Sequence, residues 1–111
     1  MYKDRIYRKI KAIVEKRNTL KLNCLDKVNK EEYQRFMFVF NYCLNSLKEE
    51  YQKILLESYF DVKYQYWWID YYCQSHFYRK RFKAVNSFVN LFEIVNENFA
   101  NNSTSFTYCF Q

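Results

Sequence analysis

Neither glycine nor proline occurs anywhere in the 111 residues, and this double absence constrains the chain more than any other feature. Left-handed backbone positions, which glycine fills at no steric cost, are expected to fall to asparagine. The Gly-rich loop that cradles nucleotide phosphates and the dinucleotide-binding fingerprint cannot be built without glycine, so nucleotide-driven enzymes are not expected. Lys, Asn, Tyr, Phe and Ile are abundant, the residue choice of an AT-rich coding sequence, which points to a low-GC bacterium or one of its phages. Aromatic residues make up 23% of the chain, enough burial energy for one core in a chain of this length.

Four cysteines (Cys24, Cys43, Cys73, Cys109) are widely spaced and form no CxxC pair. They are expected to be reduced thiols acting as small apolar residues rather than zinc ligands or a redox pair. Charges are spread through the first seventeen residues, and no apolar run approaches the roughly 18 residues of a membrane span. A cytoplasmic protein without a membrane segment is expected.

Apolar spacing then gives the organisation. Ile6, Ile10, Ile13 and Val14 recur at three- and four-residue intervals, as one face of a helix requires. Seven cations against two anions between Lys3 and Arg17 give that helix +5 of the chain's +6. Residues 18–29 read as a polar connector that tucks leucines, among them Leu20 and Leu22, under the domain. Asn29 is placed to cap a second helix with the apolar face Tyr33, Phe36, Met37, Phe40 and Leu44. Ser46-Leu47-Lys48-Glu49 has the form of a capping box and predicts a third helix from Leu47 that buries Leu47, Tyr51, Ile54, Leu55 and Tyr59, then frays near Phe60. Trp67 to Tyr72 is expected as a short helix, and a long last helix is expected from about Cys73–Ser75 to Asn98, with Ser75 able to take the cap from Cys73. Its inward stripe is Phe77, Ala84, Val85, Phe88, Leu91 or Phe92, Val95 and Phe99. The whole is an all-α bundle of about five helices over residues 1–100, with a polar tail at 101–111.

On the other side of the last helix lie His76, Arg79, Lys80, Arg81 and Lys83. Four cations in five residues, at the start of a helix that follows a short helix and a turn, form the layout of a helix-turn-helix whose second helix enters the major groove. Gln74, His76 and Lys80 would reach base edges, Arg79 and Lys83 phosphates, with Arg5, Arg8 and Lys9 as accessory phosphate contacts.

The order SLKEEYQKILLESYF, a short helix, then CQSHFYRKRFKAVNSF resembles region 4 of bacterial sigma factors, and more closely the ArpU-type regulators of phage late transcription. It also fits small families of mollicute proteins that carry similar helix-turn-helix remnants. In the sigma and ArpU-type families a helix opening with Leu-x-x-x-x-Arg/Gln-x-Ile-Leu packs behind a short helix, and a recognition helix reads roughly Ser-x-Ser-Thr-Tyr-Tyr-Arg-x-x-x-x-Ala. The matching positions are Cys73, Ser75, His76, Phe77, Tyr78, Arg79 and Ala84, and the resemblance covers about residues 47–92. It implies a DNA-binding transcriptional regulator whose partner is duplex DNA. Where those families carry Leu-Gly in the turn, this chain has the bulky Tyr71-Tyr72.

Two other readings use the same stretch. Tyr64, Tyr66, Trp67, Tyr71 and Tyr72 beside cations could stack unpaired bases. Alternatively the domain is an adaptor that binds RNA polymerase or another protein through an exposed aromatic patch, the helix-turn-helix no longer contacting DNA. One histidine and scattered carboxylates form no catalytic pair or triad, so neither an enzyme, a small-molecule substrate nor a cofactor is expected.

Overall fold

The computed structural model describes residues 2–23 and 27–101, the side chains of residues 99–101 excepted. Among them the secondary structure is entirely helical: α1 (Tyr2–Leu22), α2 (Lys27–Asn45), α3 (Glu49–Leu55), which runs on as a π turn over Leu56–Phe60, and α4 (Gln74–Asn101). The expected all-α bundle is therefore found, with four α-helices among the described residues. No described residue has a positive φ. The left-handed asparagines expected in place of glycine do not occur there, and no described connection uses left-handed backbone.

The core is assembled from one stripe per helix. Ile6, Ile10, Ile13 and Leu20 from α1, Phe36, Val39, Phe40, Cys43 and Leu44 from α2, and Ile54 and Leu55 from α3 are buried, with Phe60 from the π turn. From α4 come Phe77, Ala84, Val85, Phe88, Val89 and Phe92. Phe40, Phe60 and Phe88 meet edge to face with ring centroids 4.6, 5.7 and 5.8 Å apart, the geometry in which aromatic pairs add about 0.5–1.5 kcal/mol beyond their buried area. Burial pushes the Cys43 thiol up to about 11 and the Tyr59 hydroxyl up to about 12.

Several boundaries differ from expectation, each for a physical reason. Leu20 continues the Ile6–Ile10–Ile13 stripe at helical spacing, so α1 extends into the supposed connector as far as Leu22, which stays exposed. Asn29 lies inside α2 instead of capping it. The Ser46 hydroxyl donates to the Tyr42 carbonyl at 2.7 Å and so closes the end of α2; α3 starts two residues later than expected, at Glu49, without a side-chain cap. Ser75 does not displace Cys73, because α4 begins at Gln74 and the Cys73 carbonyl already accepts from the Phe77 N–H at 2.9 Å. Cys24, Leu25, Asp26 and residues 102–111 of the polar tail, Cys109 among them, lie outside the described residues, as does the side chain of Phe99; Asn101, expected in the tail, ends α4.

The π turn ends where Arg17 waits for it. The Asp61 N–H bonds back five residues to the Leu56 carbonyl at 2.6 Å. Arg17 lays its guanidinium over Phe40 and Phe60 and donates from Nη1 to the Phe60 carbonyl at 2.8 Å. A cation from α1 thereby supplies the partner that the helix end leaves open.

Candidate nucleic-acid interface

The short helix expected at Trp67–Tyr72 is instead a run of turns. N–H groups at alternate positions, Trp67, Ile69 and Tyr71, each bond back three residues, to Tyr64, Tyr66 and Trp68. Side-chain packing explains the choice. Trp67, Trp68 and Tyr72 all converge on Phe77, with centroids 5.6, 4.7 and 5.8 Å from its ring. An α-helix advances about 100° per residue and would spread those three positions over about 140° of its circumference. Successive turns gather them on one ring, and Trp68 stacks flat against it. The first helix of a helix-turn-helix is thus missing as a helix, and α4 is held in place by an aromatic plug.

The plug leaves a second set of rings outside. Val62, Tyr64, Tyr66, Ile69 and Tyr71 are all exposed, Tyr64 by 62% and Tyr71 by 65%. Lys53 of α3 sits over this segment, its ammonium 4.6 Å from the Tyr71 ring and 5.7 Å from Trp67. Asp61 and Asp70 lie on the same loop, and the Lys63 ammonium is 3.9 Å from Asp61.

The four cations of the basic run have different fates, which follow from their angles on α4. Arg79 and Lys83, four residues apart and therefore on one face, are exposed and have no acidic partner among the described residues. Lys80 turns aside by about 100° and meets Glu50 of α3, with Nζ 2.8 Å from Oε1 and 3.0 Å from Oε2. The Tyr72 hydroxyl donates to the same carboxylate at 2.8 Å. Hydrogen bonds from Lys80 and Tyr72 hold Glu50 below the usual carboxylate range, and burial together with the bond to Glu50 pushes the Tyr72 hydroxyl up to about 12. Arg81 points to the opposite side from Arg79. Its guanidinium lies over Tyr78 at 4.9 Å, Tyr7 at 5.3 Å and Phe77 at 5.9 Å, and its Nε is buried without a hydrogen-bond partner. The expectation that all four cations share an outer face is corrected: two do.

At the start of α4, the exposed His76 ring stacks on Tyr72 at 5.9 Å and the exposed Gln74 amide donates to the Tyr78 hydroxyl at 3.3 Å. The His76 backbone N–H, then the Ser75 hydroxyl, lower the pKa of the exposed Cys73 thiol.

Helix α1 adds to the outer face of α4. Tyr2 donates to Asn86 Oδ1 at 2.7 Å and packs edge to face on Phe82, and the Lys3 ammonium lies 5.1 Å from the centre of the Phe82 ring. Phe82 sits between Arg79 and Lys83 in sequence, so Lys3 approaches the edge of the patch they form. Lys9 reaches Glu93 at 2.6 Å and is neutralised there. Arg5 shares the α1 edge of Tyr2 and Lys9 at helical spacing, both of which grip α4, and it is exposed. Arg8 lies on the far side of α1, its Nε 3.5 Å from the Asp4 carbonyl.

Of the eight residues expected to contact nucleic acid, Arg5, Arg79 and Lys83 remain as exposed cations with no carboxylate partner among the described residues; His76 lies one helical turn before Arg79, while Gln74 is turned toward Tyr78. Lys80 and Lys9 are tied to carboxylates, and Arg8 is elsewhere. Lys3 joins the patch and was not singled out by sequence reasoning. Its signal was available in the seven cations of the first helix, but only the tertiary contact with Phe82 selects it.

Among the described residues no group of three or more His, Cys, Asp or Glu could hold a metal ion, and no described helix is long and apolar enough to cross a membrane. No family model, curated protein or solved structure matches this chain, so the likeness to sigma region 4 rests on the residues that carry it.

Proposed function

We propose that this chain binds duplex nucleic acid through its phosphate backbone, using Arg79 and Lys83 of α4 with Lys3 and Arg5 of α1. The observation that carries the reading is that Lys3 of α1 reaches Phe82, at the edge of the one face of α4 whose charges no described carboxylate neutralises. In this reading α4 takes the part that the resemblance gives to a recognition helix, with Gln74 and His76 nearest the bases, and the protein is a transcriptional regulator of the sigma region 4 kind. Phosphate contacts from such side chains are independent of sequence and sensitive to salt, since each one releases counterions from the duplex.

The test is an anisotropy titration of a labelled DNA duplex across about 50–200 mM salt. Four contacts predict a slope of about −3.6 in log affinity against log salt, and Arg79→Gln with Lys83→Gln reduces its magnitude by about 1.8. A folded double variant with the wild-type slope would sink the assignment of these residues.

The loop from Val62 to Tyr71 favours a second reading, an adaptor that docks on RNA polymerase or another protein. Its exposed tyrosines have the amphipathic character of interface hot spots, and its charges balance, Asp61 and Asp70 against Lys53 and Lys63, so the surface carries no net attraction for a polyanion. Absence of duplex affinity, together with a polymerase pull-down lost on Tyr66→Ser and Tyr71→Ser, is the outcome this reading expects; retention of the pull-down by that variant refutes it.

A further inference from the structure

Glu50 occupies an unusual place for a residue in the first turn of a seven-residue helix. Its two oxygens take Lys80 Nζ at 2.8 and 3.0 Å, Oε2 also takes the Tyr72 hydroxyl at 2.8 Å, and Lys48 Nζ stands 4.0 Å from Oε1. Lys80 adjoins the outer face of α4, one residue from Arg79 and three from Lys83, and its side chain keeps 28% of its exposure. Lys80 stands about 100° round the helix from Arg79 but only about 60° from Lys83, so its flexible stem can swing the ammonium toward a polyanion lying along that face. Its bonds to Glu50 hold the ammonium away.

We propose that Glu50 is an autoinhibitory counter-anion, holding Lys80 back from phosphates that the neighbouring Arg79 and Lys83 are free to contact. The inference rests on the phosphate-binding reading above and adds a regulated contact to it. The physical reason is the origin of the salt effect. A free lysine gains by displacing counterions condensed on the nucleic acid, and one already paired must first give up two short charge-assisted hydrogen bonds. The partner is covalently part of the protein, so dilution cannot remove it. Charge is therefore present in the composition and absent from the binding surface. Tyr72 strengthens the arrangement by supplying a third donor, which fixes the carboxylate where Lys80 finds it.

Glu50→Gln removes the negative charge while keeping an oxygen for the Tyr72 hydroxyl, and it leaves Lys80 partly in water, so no unpaired charge is buried. Lys48 loses its neighbour in the same change, and the double variant Glu50→Gln with Lys80→Gln separates the two lysines. Five proteins, the wild type, Glu50→Gln, Lys80→Gln, the double variant and Lys83→Gln, are compared with the same DNA duplex across the same salt range, each checked for helicity by circular dichroism. Glu50→Gln is expected to bind more tightly, with the slope steeper by about 0.9 for each additional phosphate neutralised. Lys80→Gln alone is expected to match the wild type, and the double variant to lose the part of the increase that Lys80 supplies.

A readout that needs no nucleic acid accompanies the titration: amine acetylation followed residue by residue by mass spectrometry. Lys80 should react more slowly than Lys83 in the wild type and at a similar rate in Glu50→Gln. The proposal is overturned if Lys80 reacts as fast as Lys83 in the wild type, if Lys80→Gln flattens the slope as much as Lys83→Gln, or if folded Glu50→Gln binds like the wild type. Should the wild type show no duplex affinity while Glu50→Gln acquires it, the inhibitory role stands and the claim that the unmodified protein binds DNA falls; with neither binding, both fall. Were Glu50→Gln to unfold, the Lys80→Gln titration and the wild-type acetylation rates decide.

Discussion

Arg79 and Arg81 are two residues apart, carry the same side chain and meet opposite environments. Arg79 stands in solvent on the outer face of α4, whereas Arg81 lies across Tyr7, Phe77 and Tyr78 with its Nε shut away from water. About 200° of helix rotation separates them. A dense basic run is thus a statement about composition, and the turn of the helix divides it into surface and structure. Arg81 is packing material: a planar cation that spans aromatic faces which an aliphatic side chain would cover less well.

Disrupting the ring beneath Arg81 gives the sharpest contrast. Phe77 is 1% exposed and receives Trp67, Trp68, Tyr72 and Arg81, and Phe77→Ala is expected to cost about 3–5 kcal/mol in a denaturant titration. Loss of helicity should accompany it at moderate temperature. A cost below about 1 kcal/mol would mean that the aromatic plug does not anchor α4.

The two arginines themselves can then be compared by the same measurement. Arg81→Gln is expected to lower stability by about 1–2 kcal/mol, through lost cation–π contacts and lost stem packing. Arg79→Gln should stay within about 0.5 kcal/mol, as exposed substitutions do. Equal costs at the two positions would remove the distinction.

Alkaline titration probes the buried side more gently. Tyr59 and Tyr72 rise from an ordinary 10.0 to about 12 and Cys43 from 9.0 to about 11, with burial the first cause in each case. A raised pKa means the folded protein holds its proton more tightly than the unfolded chain does. The stability these groups contribute is complete below pH 9 and declines progressively as the pH rises from about 9 to about 12. Glu50 has the opposite sign: its lowered pKa contributes stability above the ordinary carboxylate value of 4.5, lost as the pH falls through the lowered one. Tyr72→Phe should reduce the alkaline loss without affecting the part due to Cys43. An alkaline transition unchanged by Tyr72→Phe would show that the hydroxyl does not titrate with folding.

Helical periodicity makes the core readable from the sequence. Phe36, Phe40, Leu44, Ile54, Leu55, Phe77, Val85 and Phe88 are buried as their spacing requires, and Ala84 is fully enclosed with them. Leu47 and Trp68 are half-buried against that core. Local signals fared worse wherever a tertiary contact competed for the same group. Ser46 has the chemistry of an N-cap, but the carbonyl of Tyr42 was nearer. Trp67–Tyr72 lacks any helix breaker but is made only of weak helix formers, and Phe77 draws three of its rings to one point. The site was half legible for a related reason. The angle of Arg81 on α4 could be counted from the sequence, whereas the meeting of Lys80 with Glu50, thirty residues away, depends on how α3 crosses α4.

The described backbone uses no positive φ, and the chain contains no glycine to need one. An average composition, at about 7% glycine, would place roughly eight glycines in a chain of this length, each widening the range of conformations open to the denatured protein. Replacing a glycine where its freedom is not needed stabilises a protein by about 0.4–1 kcal/mol, through the unfolded state alone. Proline, equally absent here, would narrow that ensemble, so its absence works in the opposite direction to the absence of glycine. Introducing glycine into exposed positions of this bundle should lower its melting temperature even where the side chain removed touches nothing.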